Sequence, residues 1–151
     1  MQTRPSPSLA SRIFLATCGL IAASIGAMIL ATPATFHATN GIELGTDPSL
    51  LSEVRAPGGT LFALGLLILA GGVRPSWAQL STAVSAVVYL AYGLSRVLSM
   101  VLDGVPDAGL VNAAAFELVL GAGCAAILAS AHRRGNASKK AKNRLGAPSP
   151  T

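Results

Sequence analysis

The run Tyr92-Gly93-Leu94-Ser95-Arg96-Val97-Leu98-Ser99-Met100-Val101-Leu102-Asp103-Gly104-Val105-Pro106-Asp107 decides how this chain is read. Most of it is apolar, yet an arginine stands inside it and an Asp-Gly-x-Pro turn closes it. Shortly after, Glu117 interrupts the next apolar run. Ionisable groups at membrane depth are costly, so each needs a partner or a task. Two antiparallel apolar helices, joined by a turn and each carrying one charge, are the unit around which the chain is organised.

Working outward, the composition points to a membrane. The chain is 52% hydrophobic and 11% charged, with a mean hydropathy of +0.59, whereas soluble domains carry about a quarter charged residues. Its 151 residues suffice for one small domain. A formal net charge of +5 would suit nucleic acid, but the basic residues lie mostly in the tails and are not interleaved with aromatics. A nucleic-acid partner is therefore not expected, and the lipid bilayer is. Cys18 and Cys124 both fall in apolar runs, at similar depth near one side. They make no disulfide framework, and a buried thiol ordinarily acts as a small apolar group.

Apolar runs predict four spans at about 11–31, 58–73, 77–102 and 108–132. A disordered N-terminal tail is expected over 1–10 and a disordered basic tail over 133–151. The first run exceeds the roughly 7–15 residues of a signal-peptide core. Leu15-Ala16-Thr17-Cys18 has too little apolar sequence before it for a lipoprotein box, so the helix is read as retained. The long connection 32–57 holds an Asn40-Gly41 turn, with a short hairpin as one option. Asp47-Pro48 predicts a helix start, giving a short interfacial helix over Ser49 to Arg55. Ala56-Pro57-Gly58-Gly59 is expected to break or kink it before the second span. Trp77 suits an interfacial anchor.

Charge sets the expected orientation. Four spans place both termini on one side, together with Arg4, Arg12, Arg74 and the six basic residues of the tail. The other side collects Arg55, Arg96 and all six acids: Glu43, Asp47, Glu53, Asp103, Asp107 and Glu117. The positive-inside rule then predicts a multi-pass protein of the cell inner (plasma) membrane, with N- and C-termini in the cytoplasm.

Depth places the polar residues together. Arg96 precedes the end of its span by six residues, and Glu117 follows the start of the next by nine. At 1.5 Å per residue these are roughly 9 and 13 Å below the outer boundary, close enough for an ion pair. Tyr92 lies one turn below Arg96, with Gly93 leaving room beside it and Ser99 one turn above. Glu53 and Arg55 stand just outside the second span, where they would join Arg96, Asp103 and Glu117 around an outward-facing pocket. Small residues predict close helix packing at Gly19, Ala23 and Ala27, continued by Ala31, and at Gly58, Gly59, Gly93 and Gly121.

These residues carry a resemblance. Glu53-x-Arg55-Ala56-x-Gly58-Gly59, then Gly93-x-x-Arg96-x-x-Ser99-x-x-x-Asp103-Gly104-x-Pro106, then Glu117, resembles the bacterial four-helix membrane family catalogued as domain of unknown function 4345. It covers roughly Ile13 to Ala131, and the Arg96 to Pro106 segment is its most specific part. The resemblance implies an uncharacterised four-helix inner-membrane protein and supplies no activity.

The fold expected is thus an all-α integral membrane bundle of four transmembrane helices. Two functional readings follow. In one, the charged pocket binds or transports a small polar or anionic solute, with Arg96 as anchor and Glu117 as counter-ion. In the other, the Arg96–Glu117 pair is an interhelical clamp in a structural or partner-subunit protein, as a homo-oligomer or beside a membrane partner protein. An enzyme is not favoured: no Ser-His-Asp pattern, Cys-x-x-Cys or phosphate loop is present, and no cofactor is implied. His37, Glu43 and Asp47 are metal-ligand types without a recognisable spacing, so no metal site is expected.

Overall fold

The structure is a computed structural model that describes residues 8–145. It runs α1 (Leu9–Ala31), α2 (Pro33–Ala38), α3 (Pro48–Val73), a 3-10 turn (Pro75–Trp77), α4 (Ala78–Asp103) and α5 (Ala108–Leu145). Local chemistry sets these limits. The Ser8 hydroxyl caps α1 by accepting from the Ser11 amide at 3.2 Å, and Asp47 caps α3 through the Leu50 amide at 2.8 Å. Gly104, at φ +99°, ends α4 in a conformation that L side chains rarely adopt. Asp107 then opens α5 by accepting from the Gly109 amide at 2.8 Å.

Three expectations need correction. First, α3 does not break at Pro57-Gly58-Gly59; the separate helix over 49–55 and the span from 58 are one 26-residue helix with Pro57 inside it. The proline removes one backbone donor, but Gly58 is buried against α1 at this level, so packing holds the helix through the defect. Second, the connection before it is shortened at both ends. Asn40-Gly41 does form a turn, with Gly41 at φ +72°, but it follows the short α2 and no strand occurs among the described residues. Third, α5 continues past residue 132 to Leu145. Its extension is rich in Ala, Lys and Arg, which are good helix formers. The remainder of the expected tails, 1–7 and 146–151, lies outside the described residues.

Each of the four long helices contains an 18-residue window apolar enough to cross a membrane. They form two antiparallel hairpins, α1 with α3 and α4 with α5, joined mainly by packing of α3 on α4. In the first hairpin the backbones nearly touch. A Cβ added at Gly19 would strike the Leu69 backbone, one at Gly26 the Phe62 backbone, and one at Gly65 the Ala23 backbone. The buried stripe on α1 is therefore Gly19, Ala22, Ala23 and Gly26, whereas Ala27 is half-buried and Ala31 exposed. A strict four-residue repeat overruns the 3.6-residue turn, so it drifts off the contact face within two turns.

Polarity is arranged inward. Ser81, Thr82 and Ser85 of α4 are buried, while Leu20, Leu66, Leu80, Val87, Leu98 and Val119 face outward. The Ser81 hydroxyl donates to the Leu67 carbonyl at 2.8 Å, tying α4 to α3. At the same end Arg12 donates from Nε to the Gly72 carbonyl at 3.0 Å and from Nη2 to the Val73 carbonyl at 3.1 Å, closing the last turn of α3.

Candidate functional site

The α4–α5 hairpin brings Arg96 to Glu117. Gly93 on α4 and Gly121 on α5 make this approach possible. A Cβ at Gly93 would lie 2.8 Å from Leu118 Cγ, and one at Gly121 would lie 2.7 Å from Leu90 Cγ. With those positions bare, Arg96 Nε donates to Glu117 Oε2 at 3.0 Å and to Oε1 at 3.3 Å. It is the one ion pair among the described residues. The arginine side chain is 31% exposed and the glutamate 16%. Both carboxylate oxygens thus converge on a single nitrogen. Nη1 and Nη2 of Arg96 have no acceptor among the described residues.

Tyr92 is half-buried one turn away and packs at the edge of the core, within electrostatic reach of both charges. The other residues expected at this site do not join the pair. Ser99 donates to Asp103 Oδ2 at 2.9 Å, an exposed pair one turn apart on α4. Arg55 donates from Nε to the Leu30 carbonyl at 3.2 Å, near the end of α1. Glu53 is exposed and forms no ion pair among the described residues. The unbroken α3 explains the difference, because it carries residues 53–55 as part of the helix paired with α1. Of the packing residues, a Cβ added at Gly58 would lie 2.8 Å from Ile29 Cβ, whereas one at Gly59 would meet only Leu30 Cδ2 at 3.5 Å.

One feature exceeds the sequence reading. Ser81, Ser85, Tyr89, Tyr92, Arg96, Ser99 and Asp103 recur every three or four residues along α4, so they share one face. The upper four of these were singled out from sequence; the lower three form the polar seam between the hairpins. Their spacing was the available signal. No three His, Cys, Asp or Glu side chains converge as a metal would require among the described residues, His37, Glu43 and Asp47 included.

A family model described as a domain of unknown function, DUF4345, matches residues 10–128. The chain belongs to that family. The DUF4345 match contains all but the first residue of α1, the whole of α3 and α4, both residues of the ion pair and 108–128 of α5, and it stops before the basic extension. No curated protein and no solved structure matches the chain.

Proposed function

We propose that this DUF4345 chain is a multi-pass plasma-membrane protein with both termini in the cytoplasm, in which Arg96 binds an anionic group. Four apolar helices with a polar seam turned inward support membrane insertion, and the one-sided distribution of basic residues supports the orientation. The observation that carries the site is the unspent half of the guanidinium. Glu117 neutralises the charge but occupies only Nε, which leaves both Nη groups without an acceptor among the described residues. A carboxylate or phosphate group matches that planar fork and satisfies it with two parallel hydrogen bonds. Glu117 acts as counter-ion, and taking up a proton as the anion arrives keeps the site neutral.

Thermal unfolding in mild detergent tests this with acetate and inorganic phosphate as probes. Either anion raises the midpoint of the wild type over a chloride control, and Arg96→Gln abolishes the rise. If both proteins fold and neither anion shifts the wild type, the reading fails.

A second reading, the clamp, is favoured by Gly93 on α4 and Gly121 on α5, which bring the two helices together on the side of the pair away from the connecting turn, and by the engagement of Arg55 and Asp103 elsewhere. The exchange Arg96→Glu with Glu117→Arg separates the two. A clamp regains its stability in the exchanged protein, which also keeps any oligomer or partner that co-purifies, whereas an anion site loses its response to acetate and phosphate.

A further inference from the structure

The end of the bundle away from Arg96 carries a charge that the described residues do not balance. Arg12, half-buried near the start of α1, spends Nε and Nη2 on the Gly72 and Val73 carbonyls. Its Nη1 has no acceptor, and its charge no acid, among the described residues. Arg74 follows directly as the C-cap of α3, and its exposed side chain makes no hydrogen bond or ion pair among them either. The acids lie too far off to help. Glu53 is about 30 Å from Val73 along α3, with Glu43 and Asp47 further still. Glu117 is held by Arg96, about 27 Å along α4 from Ala78, and Asp103 and Asp107 lie beyond at the α4–α5 turn.

Beside this charge runs an open groove of about 200 Å³, lined by Leu9, Arg12, Ile13, Ala16 and Gly72. Arg12 is its one polar side chain. Leu9 and Ile13 are 70% and 59% exposed, so the groove opens on the outer surface of the bundle. Trp77, exposed shortly after Arg74, marks the level at which interfacial aromatics sit among lipid headgroups.

We propose that this groove holds one anionic phospholipid, its phosphate on Arg12 and Arg74 and the start of an acyl chain along Leu9, Ile13, Ala16 and Gly72. A free phosphate would meet the charge but gain nothing from the apolar walls. A zwitterionic lipid brings its own cation to a place that already has two. Only a net anionic headgroup with a tail uses both features, and basic pockets between helices at the cytoplasmic side suit such headgroups. The inference rests on the membrane placement proposed above and is independent of the reading of Arg96.

The test reconstitutes the full chain in phosphatidylcholine vesicles with a minor share of phosphatidylglycerol. After a carbonate wash the protein is released in mild detergent and weighed by native mass spectrometry. Wild type retains one phosphatidylglycerol per chain despite the excess of choline lipid, and glycerol phosphate does not displace it. Arg12→Gln weakens retention about tenfold, the loss expected for a hydrogen bond to a charged group. Arg74→Gln has no bond within the protein to lose, so it folds normally and weakens retention about fivefold. Arg133→Gln combined with Arg134→Gln, on the basic extension of α5, leaves retention unchanged. Equal retention of both lipids, displacement by glycerol phosphate, or a loss on the extension as large as at Arg12 would overturn the proposal. So would full retention in both the Arg12 and Arg74 variants. A chain stripped from the vesicles by carbonate refutes the membrane placement itself, and the lipid site with it.

Discussion

Arg96 and Glu117 were recognisable as partners because each interrupts an apolar run, and their distances from the intervening turn match. In a low dielectric, two such charges on consecutive helices have little alternative to each other. The rotamers were not legible, and they decide what the pair leaves over: both Nη groups on one side, no free carboxylate oxygen on the other. Arg55 makes the same point, since it lies near the level of the pair in sequence terms but donates to the Leu30 carbonyl. Removing one charge from the pair strands the other. Arg96→Gln and Glu117→Gln are each expected to lose about 2 kcal/mol of stability, discounted for partial exposure, and the double variant less than their sum. SDS titration of the purified proteins measures this cycle. Additive losses would show that the two side chains do not interact.

At the scale of the helix, glycine is informative only when its face is known. Gly58 and Gly59 are adjacent in sequence and look equivalent, yet one is buried against Ile29 and the other meets only the tip of Leu30. Gly65 lies further along the same helix, and a Cβ added there would run into the Ala23 backbone. Gly65→Ala is therefore expected to separate α1 from α3 and lower the unfolding midpoint by several degrees. Gly59→Ala has room for its methyl and is expected to be neutral or to stabilise by up to about 1 kcal/mol, since alanine is the better helix former. Thermal unfolding of both variants under one set of conditions checks the contrast, and equal losses would contradict the helix faces described. Residues 49–59 illustrate the limits of local signals. Proline and paired glycines argue for a break, but tertiary packing overrides them and α3 runs straight through.

For the whole molecule, α5 is about 57 Å long at 1.5 Å per residue, against a hydrocarbon core of about 30 Å. Its basic end therefore projects well beyond one face of the bundle. On the proposed orientation that face is cytoplasmic. A fluorescent protein fused after Leu145 is expected to fluoresce, and one inserted between Gly104 and Val105 is not; alkaline phosphatase at the same two places should give the opposite pattern. The reverse result would invert the topology and move Arg96 to the cytoplasmic half. The amino-acid sequence by itself determined the all-helical class, the four apolar helices, the asymmetry of charge and the pairing of Arg96 with Glu117. These follow from hydropathy and charge counted along one dimension against a slab of known thickness. Only the tertiary structure decided that Gly26 rather than Ala27 faces α3, that Arg55 serves α1, and that Cys124 meets Ser85. Each depends on how a helix is rotated about its own axis and which hairpin lies beside it. A 3.6-residue period leaves that rotation open until side chains from different helices interlock.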